Sequence, residues 1–344
     1  MILTAAQNSS LTLLLVSAFW LGIIAWIGYE NLIKPRLADT PYSLTIPGLE
    51  EMKKAILDKQ FLEFQKAFYA LSHPQQAFVL EHIAEDIRLM EVVETWISRF
   101  NSEIPYLIKT EQLIDLAWES RSSKRANEVD EQQWKGFFEY LNEAEETIEK
   151  AQNIKKNSIH VYTQKITLLL GLGHQLSDNP SQEVLEIVKQ ATAIDPSFKN
   201  IYRKATNLLA TRWYGGFDEM IQFANTYKND PLIGEYVLAS VWCEITVECI
   251  FGDIKKAQLL TFTDEFKQKS DQFFQQNNKI TEENYTLWNY YTFISGMLYP
   301  SQFKKRLKGM RNYVSAYPWM FVGLSSPKKL RASGENIFKK YRSR

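Results

Sequence analysis

Apolar residues recur at helical spacing along most of the chain, and the clearest example begins near Asp130. An apolar stripe at alternating intervals of four and three residues marks one face of a helix there, and charged residues occupy the opposite face. Asp130 and Gln133 have the spacing of a capping box, which predicts where this helix starts. The stripe consists of Phe137, Leu141, Ala144, Ile148 and Ala151.

The same apolar pattern returns after 40 residues within the stretch 142–230. At this offset Ala151 falls on Ala191, and Tyr162 falls on Tyr202. A third and less regular copy follows 33 residues later. Repetition at this period is typical of stacked helix pairs, because one pair cannot bury its apolar face alone. The sequence therefore predicts an all-α fold, built as an α-solenoid of stacked helix pairs.

Similar apolar patterns extend this prediction over most of the chain. Glycine and proline are sparse and fall at joints between helices, as at Pro196 and Pro231. Gly215 or Gly216 is expected to adopt a positive φ, since the chain must reverse there. No stretch shows sustained alternation of apolar and polar residues, so no sheet is expected. The predicted helices are 48–59, 61–72, 75–100 with a break near Asp86, 106–120, 130–156, 158–172, 181–194, 198–212, 217–228, 231–252, 255–276, 281–297 and 301–316.

An uncharged run from Leu11 to Tyr29 precedes the helical pattern. Nineteen residues of helix span about 28 Å, which is close to the hydrocarbon thickness of a bilayer. Trp26 lies near one end, where amphipathic rings favour the membrane interface. A cleaved signal peptide and a buried core helix are the alternatives. No basic residue precedes the run and no cleavage motif ends it, so a retained transmembrane helix is expected.

The basic residues that flank this run predict its orientation. Lys34 and Arg36 follow the run directly. The positive-inside rule then places the bulk of the chain in the cytoplasm. The chain is expected to contain a short N-terminal tail (1–10), a transmembrane helix (11–30), a linker (31–47), a helical-repeat domain (48–300) and a basic C-terminal segment (301–344).

The net charge of the chain is zero, but the charge is unevenly distributed. Residues 301–344 hold twelve Lys or Arg residues against one acidic residue, which leaves this segment at +11 and the rest of the chain at −11. Such a segment is expected to meet anionic headgroups of a membrane. The protein's own acidic body and plain solvent are alternatives, and nucleic acid is not the expected partner. The residues assigned to the membrane surface are Lys304, Lys305, Arg306, Lys328, Lys329, Arg331, Lys339 and Lys340.

Two groups of residues resemble known families. In the segment KQATAIDPS, Ala191 precedes Pro196 by five residues, as at the end of a tetratricopeptide unit. The motifs A-W-E-x-R at 117–121, V-x-E-x-x-W-x-x-F at 129–137 and W-Y-G-G at 213–216 are similar to an uncharacterised bacterial tetratricopeptide-like domain family, usually written with W-G-G. The resemblance covers about residues 110–240. It implies a tetratricopeptide-like helical-repeat fold in bacteria and brings no catalytic residues.

Few residues have the spacing of a catalytic or metal site. Glu244 and Glu248 lie four residues apart on one predicted helix, so they share a face. In a buried cleft one of them would have a raised pKa and could act as a general acid, whereas on a solvated face the pair carries no chemistry. The two cysteines, Cys243 and Cys249, are expected to be free thiols. No cofactor or metal is expected, because the histidines and cysteines lack ligand spacing.

Aromatic residues are the candidates for a partner surface. Trp213 and Tyr214 precede two glycines at a predicted joint, and Trp118 and Trp134 belong to the same set of motifs. Trp and Tyr dominate binding hot spots, so these four residues are assigned to partner binding. The alternative is that such rings fill the joint between repeats.

Together these features predict a membrane-anchored helical-repeat module that binds or scaffolds another protein and has no catalytic activity. The concave surface of stacked helix pairs is the expected partner site. The alternatives are an immunity-type protein that neutralises a toxin at the membrane, and an enzyme that uses Glu244 and Glu248. The expected location is the bacterial inner membrane, with one span and a cytoplasmic body; a periplasmic body is the alternative.

Overall fold

The computed structural model describes residues 46, 48–122, 126–281, 283–310, 315, 317–322, 338–339 and 341–342. Within these ranges, none of the helices combines the length and the apolar character needed to cross a bilayer. Several predictions concern residues outside these ranges. They are the N-terminal tail 1–10, the transmembrane helix 11–30, all of the linker 31–47 except residue 46, and the membrane-surface residues Lys328, Lys329, Arg331 and Lys340.

The described part of the chain is all-α, as the sequence predicts, and contains fifteen α-helices and no β-strand. The helices are α1 (Leu49–Leu57), α2 (Phe61–Tyr69), α3 (His73–Ala84), α4 (Met90–Arg99), α5 (Glu103–Arg121), α6 (Glu131–Ile154), α7 (Ile159–Leu172), α8 (Pro180–Thr192), α9 (Lys199–Leu208), α10 (Phe217–Tyr227), α11 (Gly234–Phe251), α12 (Lys256–Leu260), α13 (Thr263–Gln276), α14 (Tyr285–Leu298) and α15 (Pro300–Met310). Short 3-10 helices occur at Ile87–Leu89, Ala126–Glu128, Gly173–Gln175 and Trp319–Val322.

Local sequence signals set several helix ends. The backbone N of Gln133 donates to the Asp130 carboxylate at 2.9 Å, and the backbone N of Asp130 donates to Gln133 Oε1 at 3.3 Å, so the predicted capping box starts α6. The expected break near Asp86 is present between α3 and α4. The predicted helix 255–276 is instead two helices, because residues 261–262 form a turn between α12 and α13.

The helices α3, α5, α7, α9 and α11 form one continuous row, in which each packs against the next, and α14 extends the row beyond α11. Outside the row, α6 and α8 each pack against the row helix before and the row helix after them. Ala151 and Ala191, which the 40-residue offset aligns, are completely buried near the ends of α6 and α8. Each helix pair therefore buries its apolar face against the next pair.

The most deeply buried helix is α11, in which 15 of 18 residues are buried. It packs against α9, α10 and α14 and belongs to the larger apolar core, which contains Trp242. A second core lies in the N-terminal half around Trp96, whose ring stacks on Phe61 with centroids 4.9 Å apart. The two cores together keep the row of helices in place.

The described residues after α15 include Trp319 and Phe338, which pack onto the body. Trp319 is completely buried, and its Nε1 donates to Asn289 Oδ1 at 2.9 Å. Its ring lies 5.3 Å from Phe293 and 6.4 Å from Phe338, measured between centroids. These described residues of the basic segment are therefore part of the folded body.

The structure corrects the expected conformation of the glycines after Trp213. Gly216 has a φ of −167°, which is extended backbone. The described glycines with positive φ are Gly48, Gly173 and Gly252, so the positive φ expected at Gly215 or Gly216 is wrong. Gly215 is required for a different reason: a Cβ there would lie 2.3 Å from the carbonyl oxygen of Leu209.

We expect Gly215→Ala to lower the free energy of unfolding by about 1–3 kcal/mol, because a clash with backbone cannot be relieved by rotating a side chain. Gly216→Ala is the matched control, since its Cβ would meet only the flexible carboxylate of Glu219, at 3.0 Å. We expect the control to change stability by no more than about 0.5 kcal/mol. Urea unfolding measures both, and equal losses in the two variants would contradict this explanation.

Candidate functional site

Glu244 and Glu248 are buried on α11 and do not face solvent. Their side chains are 1% and 0% exposed, so the solvated-face interpretation of this pair is wrong. Arg212, from the turn after α9, contacts both carboxylates through its Nη1. Its Nη2 donates to Asn207 Oδ1 at 2.8 Å. One guanidinium therefore joins α11 to the end of α9.

Tyr317 completes this network, because its hydroxyl donates to Glu244 Oε2 at 2.5 Å. Burial raises the pKa of Glu248 and the charge of Glu244 adds to the rise, while Arg212 opposes it. Burial by itself would lower the pKa of Arg212, but the two carboxylates hold it above its ordinary value. Burial and the Glu244 charge also raise the pKa of Tyr317, so the phenol stays protonated and donates.

This arrangement has the geometry of a buried ion pair. Neither carboxylate reaches solvent, and the ring of Phe321 lies 5.5 Å from the Arg212 guanidinium. The network joins both carboxylates to Arg212 and Tyr317 inside the fold, and the enzyme hypothesis stays a hypothesis. Its physical role is to keep two buried carboxylates compensated.

Three of the four predicted partner-binding aromatics come together in the structure. Trp118 lies 5.9 Å from Trp213 and 5.0 Å from Phe137, measured between ring centroids. Trp134 contacts Phe137 at 5.6 Å, and the Arg121 guanidinium lies over both Trp118 and Trp134. The three tryptophans are only partly buried. They fill the joint between α5, α6 and the turn after α9, and partner binding by them stays a prediction.

Tyr214, the fourth aromatic, lies apart from this cluster. Its ring is 5.6 Å from His174, and its carbonyl oxygen accepts a hydrogen bond from the Ser181 hydroxyl. A Cβ on Gly173 would lie 2.0 Å from the Tyr214 hydroxyl. Gly173 has a φ of 51°, and its lack of a side chain leaves space for the Tyr214 hydroxyl.

The predicted membrane-surface residues divide into two groups. Lys304, Lys305 and Lys339 are exposed, so they stay candidates for a membrane contact. Arg306 is 5% exposed, and its Nη2 donates to Asp271 Oδ1 at 2.7 Å. The assignment of Arg306 to a membrane surface is therefore wrong, because its charge is used inside the fold.

A polar site that the sequence analysis missed lies where α3, α5, α7 and α9 meet. It is a cavity of about 20 Å³, here called the inner groove. Each of the four helices contributes polar side chains to it. They are Glu81 from α3, Glu111 from α5, His160 and Gln164 from α7, and Asn200 and Lys204 from α9.

The inner groove carries more negative than positive charge. Four carboxylates interact with two cations there, a formal excess of two negative charges. Burial raises the pKa of Glu81, and the charge of Glu111 adds to the rise. Asp115, one turn after Glu111 on α5, is exposed; partial desolvation and then the neighbouring carboxylates raise its pKa to about 7. The carboxylates are Glu81, Glu85, Glu111 and Asp115, and the cations are Arg203 and Lys204.

Gln164 lines the inner groove and is 3% exposed. Its Nε2 donates to the carbonyl oxygen of Leu107 at 2.8 Å and to Glu111 Oε2 at 2.9 Å. Both partners are acceptors, so the orientation of the amide is fixed. Its Oε1 is buried and has no hydrogen-bond partner among the described residues. A buried acceptor without a donor costs on the order of 1–3 kcal/mol, so this atom can accept a hydrogen bond from a group that enters the groove.

His160, which also lines the inner groove, is 5% exposed. Its Nε2 is 2.9 Å from Gln76 Oε1, and its ring centroid is 6.1 Å from that of His73. Burial lowers the pKa of His160 to about 3, so the ring is neutral. Two of the four histidines thus meet in space. In the part of the chain that the structure describes, no group of three His, Cys, Asp or Glu residues could hold a metal ion.

A wider and more open depression, of about 450 Å³, lies between α5 and the start of α6. Its lining includes Asp130 and Gln133, which satisfy each other in the capping box. The inner groove is the better candidate site, because it contains an unsatisfied acceptor and uncompensated charge.

One sequence signal could have identified the inner groove. Glu81 and Glu85 are four residues apart on α3, and Glu111 and Asp115 are four residues apart on α5. Glu244 and Glu248 on α11, which the sequence analysis singled out, have the same spacing of four residues. The two pairs lie on different helices, so their meeting depends on packing and not on a local pattern.

Comparisons with known proteins add no assignment. No protein-family model, no curated protein and no solved structure matches the chain. The resemblance to the W-G-G family therefore stays a prediction, and the function is argued from geometry.

We expect Arg212→Met to lower the free energy of unfolding by about 3–5 kcal/mol at pH 7.5, because Glu244 and Glu248 lose their counter-charge while buried. Without Arg212, which opposes the effect of burial, the pKa of the Glu248 carboxyl group in the folded state rises further above its unfolded value. The lost stability is then regained as the pH falls and the folded state takes up protons, so the loss should be smaller at about pH 5. Urea unfolding at both pH values measures this.

The matched control is Arg88→Met, which removes an exposed pairing with Asp86. It should leave the free energy of unfolding nearly unchanged at either pH, because solvent screens an exposed pair. A loss in Arg212→Met as small as that of the control would show that the network does not stabilise the fold.

Proposed function

We propose that this chain is a membrane-anchored helical-repeat module that binds another protein, without catalysis, and that the inner groove is part of its partner surface. The observation that carries this proposal is the buried Oε1 of Gln164, which lacks a donor at a junction of four helices. A fold retains such a cost at functional sites, where a partner supplies the missing interaction.

The helix order supports a tetratricopeptide-like α-solenoid as the scaffold of this module. The row helices α3, α5, α7 and α9 pack in series, and α6 and α8 lie outside the row. In such repeats the row of first helices lines the concave surface on which partners bind. The inner groove is formed by four members of that row, so it lies on the expected surface.

The uncharged run 11–29 is the basis for proposing a single membrane span. Lys34 and Arg36 after it favour a bacterial inner-membrane location with a cytoplasmic body, and a periplasmic body is the alternative. Within this proposal, the exposed Lys304, Lys305 and Lys339 would contact anionic headgroups at the cytoplasmic leaflet.

An immunity-type protein that neutralises a toxin at the membrane is a special case of the same proposal, because it also acts by binding a protein. The chemistry of the inner groove suits either a scaffold or a neutralising binder. The enzyme alternative depends on Glu244 and Glu248, which Arg212 and Tyr317 occupy.

Photo-cross-linking in cells that make this protein tests the proposed surface. A photoreactive phenylalanine derivative at Asn200, which lines the inner groove, should yield an adduct with one partner protein. The same residue at Glu186, which is exposed on α8, is the matched control and should yield no such adduct. A partner adduct from position 186 and none from position 200 would place the binding surface elsewhere.

A further inference from the structure

The cations of the inner groove are already engaged with neutral groups. Lys204 Nζ donates to Thr167 Oγ1 at 2.6 Å, and Arg203 Nη2 donates to Asn200 Oδ1 at 2.9 Å. Among the described residues, no ion pair joins either cation to the groove carboxylates within 4.0 Å. The groove carboxylates are therefore not held in ion pairs with these two cations.

The size of the site limits the kind of ligand. A cavity of about 20 Å³ admits one water-sized polar group, and not a small organic molecule. The carboxylates of the described residues are not grouped to hold a metal ion. A cationic side chain fits both limits when one terminal nitrogen enters the cavity and the rest of the ligand lies outside it.

We propose that the inner groove binds a basic segment of the protein partner, through an arginine or lysine side chain whose N–H donates to Gln164 Oε1 beside Glu111. A second basic residue of the segment pairs with the exposed carboxylates of Glu85 and Asp115. This inference rests on the proposed function, since it names the chemistry of the partner at that surface.

The hydrogen-bonding groups favour arginine in the inner position. Gln164 Oε1 and the carboxylates of Glu81 and Glu111 are all acceptors, and a guanidinium supplies several N–H donors in a planar fork. Nucleic acids and anionic headgroups present phosphate, which the excess negative charge of the groove repels.

Fluorescence anisotropy with the full-length chain tests this inference. The probe is a fluorescein-labelled peptide of glycine and serine that carries two arginines. The control peptide has citrulline at both places, which keeps the shape and several N–H donors but removes the charge. We expect the arginine peptide to bind at least about tenfold more tightly, with an affinity that falls as salt rises. Equal binding of the two peptides would overturn the inference.

Two variants locate the binding. Glu111→Gln and Asp115→Asn should each weaken binding of the arginine peptide severalfold, whereas Glu186→Gln, the same change at an exposed site on α8, should not. Asp115 is exposed, so Asp115→Asn should leave the fold intact. It therefore keeps the test valid if Glu111→Gln alters the fold. Unchanged affinity in both groove variants would overturn the inference.

The outcomes separate this inference from the proposed function. If a partner is cross-linked at Asn200 and the arginine peptide does not compete with it, the binding module stands and the basic segment is wrong. If the arginine peptide binds and no protein is cross-linked at Asn200, the groove recognises cations and the protein-binding function is wrong.

Discussion

The fold depends on the burial of α11, a helix with no solvated face. The helices α9, α10 and α14 pack around α11, and Tyr317 contacts its Glu244. As a result, 15 of the 18 residues of α11 are buried. The helix carries Glu244 and Glu248, so its burial requires a counter-charge, which Arg212 supplies. Arg212 and Gly215 belong to the same turn, and the turn is therefore constrained by charge and by close backbone approach.

The two kinds of carboxylate pair in this protein have opposite environments. On α11 a guanidinium supplies the counter-charge of the buried pair and a phenol donates to Glu244, while Glu248 Oε2 is a buried acceptor without a donor among the described residues. In the inner groove, the carboxylates around Glu111 outnumber their cations, and Gln164 keeps a buried acceptor without a donor. The first arrangement has its counter-charge within the folded chain. The second becomes favourable only when a partner brings positive charge and a donor.

Much of the helical architecture can be predicted from the sequence, because caps and apolar stripes are local signals. The capping box at Asp130 and the break at Asp86 are examples. The burial of Glu244 and Glu248 could also have been inferred, since α11 is apolar on every side and offers no wet stripe for them. The inner groove has only a partial local signal, two carboxylate pairs with a spacing of four residues, because it joins four helices that are distant in sequence.

The pKa of Asp115 reports directly whether the inner groove binds a cation. Neighbouring carboxylates raise this pKa in the free chain, and a bound cation should lower it. NMR of the full-length chain with ¹³C-labelled aspartate can follow the titration of this carboxyl group. We expect Asp115 to have a pKa of about 7 in the free chain, above the ordinary 3.8. The two-arginine peptide should lower it, and the citrulline peptide should not. An ordinary pKa in the free chain, or one that the arginine peptide leaves unchanged, would contradict the account.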